Sequence, residues 1–211
     1  MDSIDYHYAA GTNKLTHLTE TDGSYSWVSN LDLETQPVNN YGYDAIGNLI
    51  RDSSEYIGTD SIKWNVYGKI TSISRSAAGS SNLRRVDYTY DAAGNRIGKK
   101  QLYFGTAAVD YTWYVRDAQG NVLNVYNAHG DTSTALADFG LFLQESDLYG
   151  SSRLGVQGRN IWAKPPSPRG SNYDYLRGDK FYEITNHLGN VVTVISDKKV
   201  GVLDSATSMT Q

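Results

Sequence analysis

One phrase recurs along this chain and restricts what it can become. "YGYDAIGNLIRD" stands at residues 41–52, "YTYDAAGNRIGKK" at 88–100, "WYVRDAQGNVLNVY" at 113–126 and "FYEITNHLGNVVTVI" at 181–195. In each, aromatic or β-branched residues flank an Asp or Asn that is followed three residues later by Gly. With Asp91 as the first residue of a β-turn, Ala92 and Ala93 fill the centre and Gly94 takes the fourth position, where a type I turn favours Gly. The Asp carboxylate can accept a backbone N–H of its own turn. A Gly at positive φ then converts the turn into a bulged hairpin connection whose twist suits the strands. The spacing therefore predicts hairpin tips.

The same geometry is available at Asp44 to Gly47, Asn65 to Gly68, Asp117 to Gly120, Asn127 to Gly130, Asp147 to Gly150 and Asn186 to Gly189. Nine of the 20 Gly have Asp or Asn three residues earlier, against roughly 3 expected from composition alone. The pattern is thus real, although not every match need be a turn. Asn48, Asn95, Asn121 and Asn190 follow four of these glycines directly. Tyr41 and Tyr43, like Tyr88 and Tyr90, fall on one face of a period-two strand, which predicts cross-strand ladders of Tyr. Successive turn glycines at 47, 68, 94 and 120 are 21, 26 and 26 residues apart, a spacing that belongs to repeat architectures.

The expected fold is all-β: a tandem array of β-hairpins over residues 1–200, forming one curved antiparallel sheet of about 12 to 16 short strands. A break is expected in the Pro-containing loop at 163–172, and fraying in the small, polar tail at 201–211. "YHYAAGTNKL" at 6–15 keeps Tyr6 and Tyr8 but has no Asp three before Gly11, so its turn should differ in type.

Composition narrows the partners. With 17 Tyr and 20 Gly in 211 residues, helix formers are thin. A net charge of -4, with 19 Lys+Arg spread along the chain, offers no basic face for nucleic acid. No basic start followed by an apolar core marks a secretory signal, and no apolar run reaches membrane-spanning length. Without Cys, disulfides and thiolate sites are excluded, and His7, His17, His129 and His187 lack metal-ligand spacing, so neither cofactor nor metal is expected. Asp44, Asp91 and Asp117 are explained by their fixed relation to Gly rather than by acid–base chemistry. Neither a phosphate-binding Gly loop nor a Gly-x-Ser-x-Gly elbow occurs, and an enzyme is not expected. The aromatics allow a second reading, in which Trp27, Trp64, Trp113 and Trp162 stack on sugar rings.

Tyr43-Asp44-x-x-Gly47-Asn48, Tyr90-Asp91-x-x-Gly94-Asn95, "YVRDAQGNVL" at 114–123, "LYGSSRLG" at 148–155 and "EITNHLGN" at 183–190 together resemble the RHS/YD-repeat proteins of bacteria, whose extracellular eukaryotic relatives include the teneurins. The resemblance covers about residues 41–199. It implies a ribbon of hairpins spiralling into a hollow shell, secreted or at the cell surface, which encloses or presents a toxic passenger. It also implies partners outside this chain, namely further repeats and that passenger, and open sheet edges prone to self-association. Family cores close with an Asp-Pro-rich self-cleaving segment. This chain has no Asp-Pro and departs further at Arg116, where the aromatic before the turn has moved back to Tyr114. No autoprotease role is therefore expected, and the chain reads as a fragment or shortened member. The resulting expectation is a non-enzymatic wall segment; the alternative is a secreted carbohydrate-binding repeat module.

Overall fold

Strands follow the recurring phrase almost everywhere in the computed structural model, which describes residues 4–20, 35–77, 82–136, 139–164, 178–198, 202–205 and 208–210. The chain parts into two compact units, Met1–Val109 and Asp110–Gln211. Among the described residues there is no α-helix.

In the first unit, β1 (Ile4–Tyr8) pairs with β2 (Leu15–Glu20) and β3 (Tyr41–Tyr43) with β4 (Leu49–Asp52), each as a two-stranded sheet. β5 (Ile62–Trp64), β6 (Ile70–Ser74), β7 (Leu83–Tyr90) and β8 (Arg96–Tyr103) then lie side by side in chain order. In the second unit, β9 (Ala108–Arg116), which begins at the unit boundary, is followed by β10 (Val122–Asp131), β11 (Leu141–Tyr149), β12 (Arg153–Lys164), β13 (Lys180–Thr185) and β14 (Val191–Ser196), again in chain order. Within each unit these strands neighbour one another in chain order: short tips reverse the chain inside the hairpins, and antiparallel pairing needs no crossover connection. The tail holds a separate hairpin, β15 (Val202–Ser205) with β16 (Ser208–Thr210). The loop at 163–172 lies, beyond Lys164, outside the described residues.

Tip geometry is repeated with little change. The register shifts by one residue between Gly42 and Tyr43, Lys63 and Trp64, Thr89 and Tyr90, and Ile184 and Thr185, always immediately before the turn residue. Gly47, Gly68, Gly94, Gly120 and Gly189 all have positive φ, between 69° and 95°. That combination is the bulged hairpin connection, in which Gly supplies a left-handed residue that a side chain would strain.

Two matches to the spacing are not tips. Asn127 and Gly130 lie inside β10, where the Asn127 side-chain amide donates across to Gln144 Oε1 on β11 instead of closing a turn. The Phe139 ring fills the space where a Cβ on Gly130 would stand, so this glycine serves close packing. Asp147 likewise lies inside β11, drawn towards Arg153 across the strand pair at 3.5 Å, and the chain reverses later, with Gly150 N–H donating to Ser152 C=O. A carboxylate or amide with a cross-strand partner no longer serves its own backbone.

Burial is thin. In the first unit Leu18, Ile57, Ile62, Val86 and Val109 are buried; in the second, Val125, Ala128 and Phe139 are. Most strand residues are half-exposed, so hydrogen bonds at the tips and between hairpins carry more of the order than in a thick core.

Candidate functional site

The turn residues form one repeated constellation. Asp44 Oδ1 accepts the backbone N–H of Ile46 at 3.0 Å and of Asn48 at 2.8 Å, while Oδ2 accepts the Asn48 side-chain amide at 2.9 Å. Asp117 repeats all three bonds with Gln119 and Asn121. Asp91 accepts the Asn95 backbone N–H at 2.8 Å and its side-chain amide at 3.1 Å. The peptide groups close the same loops: Gly47 to Asp44, Gly94 to Asp91, Gly120 to Asp117, Gly189 to Asn186.

Where Asn replaces Asp, the second acceptor oxygen is gone. Asn65 Oδ1 accepts the N–H groups of Tyr67 and Lys69, and Asn186 Oδ1 those of Leu188 and Asn190, both at the backbone alone. The Asn after the turn Gly thus matters most beside Asp. Desolvation pushes the Asp44 carboxyl up, but the Asn48 N–H, the Asn48 amide and the N–H groups of Ile46 and Gly47 outweigh it and hold it below its ordinary value. At Asp117 the Asn121 amide is the largest cause of the same lowering. A carboxylate so engaged is a structural acceptor, poorly placed to take a proton near neutrality.

The first hairpin departs as its sequence implied. Ala9 N–H donates to Lys14 C=O, a loop one residue longer than Asp44 to Asn48, and Thr12 Oγ1 takes the Lys14 N–H that an Asp would have taken.

A second constellation was not foreseen from the sequence. At four turns the aromatic immediately before the turn reaches back and donates to a carbonyl of the preceding hairpin. Tyr43 hydroxyl donates to Leu15 C=O at 3.0 Å, Trp64 Nε1 to Leu49 C=O at 2.8 Å, Tyr90 hydroxyl to Ile70 C=O at 2.7 Å and, in the second unit, Tyr149 hydroxyl to Val122 C=O at 2.9 Å. Each acceptor is the first strand residue after its own tip. The rung persists between β2 and β3, and between β4 and β5, where no backbone ladder joins the hairpins. At Arg116 the aromatic is missing, and the guanidinium folds onto its own turn, Nη1 donating to Gly120 C=O at 2.6 Å. At Tyr43, Trp64 and Tyr90 the signal was present in the sequence as an aromatic before Asp or Asn, but alternation assigned the Tyr to cross-strand ladders and Trp64 was read as a stacking residue; Tyr149 precedes Gly150 and carries no such signal.

Asn40 is another residue that pattern reading missed. It is fully buried, donates to Asp52 Oδ1 at 2.9 Å and accepts the Ser54 N–H at 2.6 Å, so its polar atoms are satisfied while it pins the loop after β4.

Three of the four Trp lie among the described residues. Trp27 lies outside the described residues. Trp64 is committed to its rung. Trp113 stacks on Tyr111 with centroids 5.4 Å apart and planes 3° from parallel, and Tyr111 meets Phe139 edge-on. Trp113, Ala128, Leu136, Phe139 and Leu141 line an open cleft of about 250 Å³. Trp162 packs on Phe142 at 3.7 Å, its cross-strand partner. Sugar sites combine stacking with convergent polar groups, and this cleft is lined by apolar side chains plus one indole.

The titratable clusters join strands. Arg153 on β12 bridges Glu183 on β13 at 3.1 Å and Asp147 on β11 at 3.5 Å. Burial raises the Asp147 carboxyl, Arg153 opposes this and Glu183 adds to it. His129 meets Asp110 at 2.5 Å, and His7 stacks on its cross-strand partner His17 at 4.3 Å. His187 occupies a turn between Asn186 and Leu188. Among the described residues no group of three or more metal-ligating side chains converges, and no helix is long and apolar enough to cross a membrane.

Compared with protein-family models and with curated proteins, the chain matches none.

Proposed function

We propose that this chain is a non-enzymatic wall segment of an RHS/YD-repeat shell, secreted or at the cell surface, that encloses or presents a passenger or mediates cell-surface contact. The observation that carries the reading is the rung from four pre-turn aromatics, Tyr43, Trp64, Tyr90 and Tyr149, to the preceding hairpin. A binding module needs its aromatic tips in solvent; here they spend their polar atoms on the neighbouring repeat, as a wall requires. The curved, spiralling course and the passenger are what the resemblance to that family adds. A bacterial toxin would be such a passenger.

The test uses the full native polypeptide that carries this chain. The passenger's cleavage by a broad-specificity protease is timed in that polypeptide and again as the free segment. At least tenfold slower digestion in the full polypeptide is expected; equal rates overturn enclosure. The carbohydrate reading makes a separate prediction, retention on a glycan array that Trp113→Ala or Trp162→Ala abolishes. The apolar cleft at Trp113 speaks against it.

A further inference from the structure

Two hairpin tips stand apart in what they present to solvent. The tips built on Asp91 and Asp117 carry small or polar residues at their centres, Ala92 with Ala93 and Ala118 with Gln119. The tip built on Asn65 carries Val66 and Tyr67, 93% and 79% exposed, and the tip built on Asn186 carries Leu188, 71% exposed. Bulky apolar side chains thus project where the turn acceptor bears no charge. The Asp44 tip is intermediate, with Ile46 85% exposed and a carboxylate behind it.

The Val66–Tyr67 tip is built to leave water. Trp64 Nε1, bonded to the Leu49 carbonyl, sets it beside the Asp44 tip, so Ile46, Val66 and Tyr67 crown neighbouring hairpins of the first unit. Nothing lies within 4 Å of where a Cβ would stand on Gly47 or Gly68, so both tips project freely. Beneath the apolar residues the backbone is closed. Asn65 Oδ1 accepts the N–H groups of Tyr67 and Lys69, each at 3.0 Å. Asn65 C=O accepts the Gly68 N–H, and Asn65 N–H donates to the Lys69 carbonyl. Polar groups already paired in this way lose little when water is removed, and Asn65 places no charge there to be desolvated. Lys63 and Lys69, both exposed, flank the tip. The opposing charge on the neighbouring tip, Asp44, is bonded to Ile46 and Asn48 within its own turn.

We propose that the Val66–Tyr67 tip, with Ile46 beside it, docks on the surface of a lipid bilayer that carries anionic headgroups. The aliphatic side chains enter the edge of the acyl region, and the Tyr67 ring lies at headgroup level with its hydroxyl in water. The amines of Lys63 and Lys69 meet lipid phosphate while their stems lie along apolar surface. A convex apolar wedge needs a pocket of matching shape in a protein partner, whereas a bilayer surface receives it without one, and the paired lysines supply the complementary charge. The contact lies on the bilayer and does not span it. It goes beyond the wall reading and needs no passenger, so either can fail while the other stands.

The experiment is flotation of the full chain with vesicles of phosphatidylcholine, alone or with about a third phosphatidylserine, a content that gives the surface a negative potential. Far-UV circular dichroism checks the fold of each variant. The wild type should float with the anionic vesicles. Val66→Ser combined with Tyr67→Ser should lower the partition coefficient about tenfold or more, through loss of the apolar area that enters the interface. Lys69→Gln should lower it about fivefold on anionic vesicles and leave the weaker binding to phosphatidylcholine unchanged. Ala92→Ser combined with Ala93→Ser, on a tip without bulky residues, should float like the wild type. A wild type that does not float overturns the proposal; if it instead self-associates through this tip, the tip is a protein contact. Flotation of the Val66→Ser, Tyr67→Ser protein equal to that of the wild type overturns it too. Should that variant lose its strand signal, Lys69→Gln decides alone, and unchanged binding to anionic vesicles overturns the proposal.

Discussion

Tyr90→Phe isolates the rung better than any other single change. It removes one oxygen, keeps the ring, and deletes the 2.7 Å bond to the Ile70 carbonyl. A net intramolecular hydrogen bond is worth about 1 kcal/mol, and a stranded buried acceptor costs more. Tyr90 is half-buried, so water can partly re-solvate the carbonyl and the loss should stay near ~1 kcal/mol. With a urea slope of ~2 kcal/mol/M for a unit of this size, the midpoint of the first unit's transition should fall by ~0.5 M at unchanged slope. Tyr67→Phe is the control: this hydroxyl sits on a turn tip, 79% exposed, and its loss should move the midpoint by less than ~0.2 M. Tyr43→Phe combined with Tyr90→Phe should add, because the two rungs share no partner. Equal shifts for Tyr90→Phe and Tyr67→Phe would refute the claim that the rung stabilises neighbouring hairpins.

Glycine changes should separate two roles. Gly94→Ala meets no atom within 4 Å, so its cost is the left-handed backbone at φ 83°, ~1 kcal/mol; Gly130→Ala must displace the Phe139 ring and should lower the second unit's melting temperature more, by the equivalent of ~2 kcal/mol or above. The acid limb should divide by turn type. Asp44 and Asp117 titrate below their ordinary 3.8 when folded, so their contribution is present above 3.8 and lost as pH falls through the folded values. Asp44→Asn with Asp117→Asn should therefore flatten the fall in urea midpoint below about pH 4. Asp147 has the opposite sign. Its folded carboxyl titrates above 3.8, so stability declines as pH rises through that higher value, and Asp147→Asn should remove the decline.

The tips were legible because the turn is a local agreement between two residues. An acceptor at Asp44 and a left-handed Gly47 suffice, and both are visible in the sequence. Asn127 and Asp147 carry the same letters but find distant partners, Gln144 and Arg153, and a spacing rule cannot see a competitor on another strand. The link between hairpins was illegible for the same reason. Period-two alternation places Tyr41 and Tyr43 on one face but says nothing of how far each reaches; the one-residue bulge before the turn re-aims Tyr43 alone, towards Leu15. The physical unit of this protein is therefore larger than the hairpin that its sequence repeats. A tip fixes one hairpin, and the aromatic before it fixes the next hairpin's place on the last. Where that aromatic is replaced, as at Arg116, the side chain turns back to its own loop, and its guanidinium bonds the Gly120 carbonyl instead of a neighbouring hairpin.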